Sequence, residues 1–194
     1  MCSSSNMEYK RCSSSNQGLE KEIDSALEQL KLMFPMEAFQ YNMPPVVMRH
    51  QIYSFVPNRT LVDKHLNELR EANTLRLFRM GEGEEEFAVI SLPDLCDHIR
   101  RSASDTPTLR SELMQNGVLT RRTEPGSWWL SLPGAGKFVK ALEAGRRASL
   151  SMIRRTQYKE MLESEFLARR LPRSALLGIK YHLHDLIGAD LVSG

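Results

Sequence analysis

Few residues in the 194-residue chain combine a type and a spacing that could do chemistry. His182-x-His184-Asp185 is the one clustered set of histidines with a carboxylate. Residues two apart on a helix face different directions, so the two imidazoles are poorly placed to hold one metal together, and structural or phosphate-facing roles suit them better. Pro133-Gly-Ala-Gly-Lys137 resembles a phosphate-binding loop. The full pattern, however, needs glycine where Ser131 stands and Ser or Thr where Phe138 stands, so the segment reads as a turn leading into a helix. A glycine-rich nucleotide loop, a His-Arg-Asp catalytic loop and an Asp-Phe-Gly metal-binding segment are missing from the sequence. Cys2, Cys12 and Cys96 are odd in number and form no Cys-x-x-Cys pair, which argues against a disulfide framework or a structural zinc site. The expectation is a protein that is not an enzyme and carries no metal or cofactor.

The stronger signal is cationic. Lys137, Lys140, Arg147, Arg154, Arg155 and Lys159 fall within a sector of about 140° when successive residues turn about 100° on a continuous helix. Phe138, Val139, Leu142, Leu150 and Ile153 lie opposite, so one face can pack while the other meets phosphates. Arg146 falls toward the apolar sector, and Gly145 is a place where the helix could break. Arg169, Arg170 and Arg173 can extend the patch from a following helix. An ordinary solvated face of Lys and Arg is the competing reading. Arg121-Arg122 with Trp128-Trp129 could stack on bases, although packing roles for both tryptophans are the simpler account.

Net charge supports the same placement. The overall +2 divides into −3 for residues 1–92, which hold 10 basic and 13 acidic side chains; 0 for 93–132, with 5 and 5; and +5 for 133–194, with 11 and 6. The acidic run Glu82, Glu84, Glu85 and Glu86 would repel phosphate, so the first third suits scaffolding or protein contacts and the last third suits a polyanion. The 41% hydrophobic content is enough for a core. The sequence contains neither an apolar run long enough to span a membrane nor a secretory leader, pointing to a soluble intracellular protein.

The elements that must position these residues follow from hydrophobic spacing. Residues 1–18 contain Cys-Ser-Ser-Ser-Asn twice and read as a disordered tail. Leu19, Ile23, Ala26, Leu27, Leu30 and Met33 give a first helix, and Val46 to Val56 forms a second apolar run. Thr60 with Asp63 resembles a capping box for a third helix reaching about Ala72. Alternation over Leu75–Met80 and Phe87–Leu92 then makes a hairpin, completing the order of a winged helix within residues 19–92. A helix-to-hairpin passage recurs before Leu132, and both copies end in Ser-Leu-Pro. This makes 93–132 an abbreviated second winged helix, with only Asp94 to about Ser104 available for its preceding helices. Residues 133–194 read as a third unit, with helices at 136–157, 158–170 and 175–187, one strand after them and no wing. The fold class is mainly α with small β-hairpins, in tandem winged-helix (helix-turn-helix) domains.

Four segments carry a resemblance: Met43-Pro-Pro-Val-Val-Met-Arg-His-Gln-Ile-Tyr-Ser-Phe-Val-Pro-Asn-Arg-Thr60, Gly117-Val-Leu-Thr120, Gly126-Ser-Trp-Trp-Leu-Ser-Leu-Pro-Gly-Ala-Gly-Lys137 and Tyr181-His-Leu-His-Asp-Leu-Ile-Gly-Ala189. In that order they are similar to the family named serine/threonine-protein kinase 19. The resemblance implies a nuclear protein of tandem winged helices that, despite the name, is no kinase. It further implies binding of double-stranded DNA and of RNA, and action in DNA repair, including transcription-coupled nucleotide excision repair alongside RNA polymerase II and repair factors. By the same resemblance the third winged helix carries DNA contacts and homodimerisation. Family basic positions match Lys140, Arg154 and Arg169, with Arg155, Lys159 and Arg170 adjacent, while Gln157 stands at another. The alternative is a protein-interaction scaffold for which DNA contact is incidental.

Overall fold

The computed structural model describes residues 5–80, 86–102, 114–115, 117–121 and 128–193; of 5–17, 102, 121, 128 and 129 it describes the backbone alone. Helix α1 (Ser5–Leu32) buries Ile23, Ala26 and Leu30 along one stripe. It starts inside the stretch whose composition suggests a disordered tail, and the backbone from Ser5 is helical. Extending a helix already anchored by its apolar stripe needs no new nucleus.

A 3₁₀ turn (Met36–Phe39) follows, and the chain leaves Pro44-Pro45 as strand β1 (Val47–Met48) and the short helix α2 (Arg49–Ile52). Helix α3 (Arg59–Glu71) begins two residues earlier than a capping box at Thr60 would allow. Its N-cap is Asn58, whose side-chain oxygen accepts from the Leu61 N–H at 3.2 Å. Asp63 instead accepts from the Tyr53 hydroxyl at 2.7 Å.

Strands β2 (Leu75–Arg79) and β3 (Phe87–Ser91) pair antiparallel with Leu75 opposite Ser91, and β1 adds to the far side of β3 with Val47 opposite Val89. The three-stranded sheet therefore has the order β1-β3-β2. Helix, strand, two helices and a hairpin therefore follow in succession across residues 19–92.

Strand alternation sends Val47, Leu75 and Val89 into a cluster with Ile23, Leu30, Val62 and Leu66. Met48, Ala88 and Ile90 point the other way, into a second cluster completed by distant residues: Leu132, Phe138, Leu142, Leu177 and Tyr181. Helix α4 (Leu92–Ser102) contributes Leu95 to that same cluster. Both faces of the small sheet are thus packed.

A separate two-stranded sheet joins β4 (Leu119–Arg121) to β5 (Trp128–Leu130) with Thr120 opposite Trp129. The side chains of Arg121, Trp128 and Trp129, and Arg122 entirely, lie outside the described residues, as do Glu82, Glu84 and Glu85.

The remaining helices are α5 (Ala135–Arg154), α6 (Glu163–Ala168) and α7 (Ile179–Gly188), all shorter or shifted relative to their sequence-based bounds. Gly134, at φ 73°, forms the turn into α5, as expected of the Gly-Ala-Gly segment. After α5 the Thr156 hydroxyl donates to the Ile153 carbonyl at 2.7 Å and Lys159 takes a left-handed conformation, which delays the next helix to Glu163. The strand expected after α7 is not formed by residues 189–193. Asp190 is left-handed and the Leu191 N–H returns to the Leu186 carbonyl at 2.9 Å, folding the chain back over the helix end.

Candidate nucleic-acid interface

Helix α5 is continuous through Gly145 and buries Phe138, Ala141, Leu142, Gly145 and Ser149, at the three- and four-residue spacing of a single stripe. Gly145 does not break the helix because its role is one of space. A Cβ there would lie 1.8 Å from Nε2 of His182, whose ring from α7 fills the gap.

Lys140, Arg147 and Arg154 recur every seven residues on the outer side and are exposed. At about 1.5 Å rise per residue they stand roughly 10 Å apart along the axis. Arg155 closes the helix, Lys159 follows in the turn, and Arg169 and Arg170 extend from the end of α6; all four are exposed. Among the described residues, none of these seven side chains forms an ion pair with a carboxylate. Arg154 and Lys159 share the rim of a groove of about 630 Å³, whose apolar lining includes Leu150, Ile153, Phe166 and Leu183. Arg169 and Arg170 belong to a different element and do not line it.

Lys137 differs from the other seven. Its Nζ donates to the Ala38 carbonyl at 3.2 Å and stands 5.4 Å from the Phe39 ring centroid, so the first turn of α5 is tied to the 3₁₀ segment.

Arg146, the cation on the apolar side, turns inward. Its Nε and Nη2 donate to the two carboxylate oxygens of Asp185 at 2.7 and 2.9 Å, and Nη1 donates to Glu86 at 2.7 Å. His50 Nε2 lies 2.7 Å from Asp185 Oδ1, completing a bracket between α2, α5, α7 and the residue before β3. Burial alone would raise the Asp185 pKa, but the bonds from His50 and Arg146 and the Arg146 charge outweigh it and hold the carboxyl well below the usual range. Burial likewise opposes the Arg146 charge, and Asp185 and Glu86 overcome it. Three further contacts reinforce this bracket. Gln51 donates to the Tyr181 carbonyl at 3.0 Å, the Tyr181 hydroxyl donates to the Val46 carbonyl at 3.1 Å, and Gly188 packs against the His50 backbone.

His182, His184 and Asp185 therefore do three separate things. His182 fills the space at Gly145, and its Nδ1 stays 3.9 Å from Asp185, beyond hydrogen-bond range. His184 stacks on Phe55 at 4.4 Å with Nδ1 2.9 Å from the Ser54 hydroxyl, and burial lowers its pKa. Asp185 anchors the bracket. A joint metal or acid–base role for the trio has no geometric support. Sequence reasoning missed the Asp185–Arg146 pair, although an arginine on an apolar helix face is itself a sign that a buried partner is required.

The chain is thus mainly helical with a small antiparallel three-stranded sheet, an outward cationic helix face and a buried structural bracket. A family profile described as inactive serine-threonine protein kinase 19 matches residues 97–193. The human protein called winged helix repair factor 1 is 35% identical over 202 aligned positions, covering 87% of this chain and 79% of that protein. The mouse protein of the same name is 34% identical, with 86% and 79% covered, and the Xenopus laevis one is 31% identical, with 98% and 86% covered. The chain belongs to the inactive serine-threonine protein kinase 19 family, in keeping with the missing kinase motifs. Among the described residues no helix is long and apolar enough to cross a membrane.

Proposed function

We propose that the protein binds double-stranded DNA, with RNA as a second ligand, and acts in DNA repair. The observation that carries this reading is the outer face of α5: Lys140, Arg147 and Arg154 are exposed and free of ion pairs to described carboxylates, while neighbouring Arg146 is fully engaged inside. Arg155, Lys159, Arg169 and Arg170 widen the surface, and Lys137 marks its end nearest the first unit. Phosphate contacts of this kind confer affinity with little sequence preference.

The relatives' name, winged helix repair factor, supports the repair role. In this reading residues 19–92, 93–132 and 133–194 are winged-helix units, the second abbreviated and the third without a wing. The protein works in the nucleus in transcription-coupled nucleotide excision repair, beside repair factors and RNA polymerase II, and pairs with a second copy through its third unit.

The competing scaffold reading draws on the groove beside Arg154, with Tyr158 76% and Leu162 69% exposed in the turn after α5. Duplex affinity at two salt concentrations separates the two. Binding that weakens steeply with salt and is lost when Lys140, Arg154 and Arg155 become Glu supports the DNA reading, and binding unchanged in that variant removes it.

A further inference from the structure

On the opposite side of the first unit, α1 and α3 bring together a set of side chains that DNA binding does not use. Glu20 and Asp24 lie four apart on α1, and His65 and Glu68 lie three apart on α3, so each pair shares a helix face. His65 is at the centre. Its side chain is only 11% exposed, and its Nε2 stands 3.0 Å from Asp24 Oδ1. Its other nitrogen, Nδ1, is fully buried, has no hydrogen-bond partner and lies 3.8 Å from Glu68 Oε2. One ligand atom from each of Glu20, His65 and Glu68 falls within 4.8 Å of the others. These three residues, with Leu19, Ile23, Leu61 and Lys64, line a cavity of about 20 Å³. That is room for one water-sized occupant.

We infer that Glu20, His65 and Glu68 form a binding site for a first-row divalent metal ion, zinc or a close relative, which fastens α1 to α3. With Nε2–H donated to Asp24, the lone pair of His65 is on Nδ1, 3.8 Å from Glu68 Oε2. A metal-ligating histidine is commonly held in this way, by a carboxylate on its far nitrogen. One nitrogen and two carboxylate oxygens leave a fourth position for water in a tetrahedral zinc site. Ligand distances of about 2.0–2.2 Å require the three atoms to close in. The Glu68 side chain, 51% exposed, has freedom to do so. Lys64, which reaches Glu68 Oε1 at 3.7 Å and is 68% exposed, swings to solvent. The competing arrangement is an imidazolium held between Asp24 and Glu68, which takes no ion.

The test uses the full chain, stripped of metal with a chelator and titrated with zinc chloride, then with cobalt(II) as a spectroscopic probe. One zinc per chain should bind and raise the melting temperature. Glu68→Gln and Glu20→Gln, changes at partly exposed positions that keep the fold, should each abolish the one-site binding and the thermal shift. His65→Ala should do the same, and Asp24→Asn should weaken affinity by about 10- to 100-fold as a positioning residue. Absence of saturable binding, binding undiminished in Glu68→Gln and Glu20→Gln, or a thiolate-to-cobalt charge-transfer band showing cysteine ligation would each overturn the assignment.

Discussion

Arg146 and Asp185 meet fork to fork, two parallel N–H···O bonds of 2.7 and 2.9 Å joining α5 to α7, with Asp185 completely buried. Two-pronged pairs of this kind are strong and directional. Arg146 Nη1 donates to Glu86, before β3, and Nη2 lies 3.3 Å from His50 Nε2 on α2, whose own proton goes to Asp185. The pair therefore locks the last helix to α2 and the residue before β3 as well as to α5.

Arg146→Ala leaves Asp185 buried with His50 as its main remaining partner. A loss of about 3–5 kcal/mol is expected, the usual cost of breaking a buried pair from one side. Urea denaturation of the variant and its parent measures it. Arg147→Ala, one residue away and exposed, should change stability by less than about 0.5 kcal/mol.

Stability should fall with acid in two stages. Burial holds the His184 imidazole below its ordinary value, with Glu163 partly opposing, so the unfolded chain gains a proton there before the folded one does. Folding thus weakens as pH drops through about 6.5. Asp185 is depressed, so its contribution is complete above about pH 3.9 and disappears as pH falls below that toward its folded value. Urea midpoints across this range should decline, and His184→Gln should flatten part of the upper stage, the rest belonging to His98, which burial also holds below its ordinary value.

Gly145 and Gly188 both face atoms where a methyl group has no room, but the neighbours differ. At Gly145 the obstacle is the His182 ring, nearest atom 1.8 Å from the added Cβ; at Gly188 it is the His50 carbonyl oxygen at 1.9 Å, part of the backbone. Gly145→Ala recovers helix propensity of up to about 1 kcal/mol and can push the ring aside, whereas Gly188→Ala must move α2. The expected order of thermal stability is parent, then Gly145→Ala, then Gly188→Ala. Adding His182→Ala should restore much of what Gly145→Ala loses.

In duplex binding, each of Lys140→Ala, Arg147→Ala and Arg154→Ala should reduce the slope of log affinity against log salt by about 1. Lys137→Ala should reduce it less, since that ammonium is already held at the Ala38 carbonyl. Fluorescence anisotropy with one labelled duplex at several salt concentrations reads all four.

Much of the first unit was legible because its signals are local: the stripe Ile23, Ala26, Leu30 and the alternation in Phe87–Ser91 each predict one element, and both elements form. The outward side of α5 was legible for the same reason, as was Arg146 as the odd member. Its partner was not, because Asp185 lies 39 residues away and no periodicity links two helices that meet only on packing. The end of α5 and the start of α6 were displaced where Lys159 takes a left-handed conformation, and left-handed Asp190 turns the chain where a strand was expected. The cap of α3 went to Asn58 because its side chain reaches Leu61, a choice that depends on how the chain leaves Pro57. The metal-ligand set escaped notice because its two halves, Glu20 with Asp24 and His65 with Glu68, each look like ordinary surface charge until α1 and α3 pack together.

The sheet packed on both faces has a consequence for synthesis. Val47 and Val89 find their neighbours early, but the cluster of Met48, Ala88 and Ile90, begun by Phe34, Phe39 and Met43, is completed only by Phe138, Leu177 and Tyr181. While the ribosome is still translating the segment beyond Ile90, the nascent chain carries a first unit with one sheet face only partly covered. Contacts as distant as His50 to Asp185, 135 residues apart, slow the final closure. During that interval the exposed face is a natural surface for a chaperone.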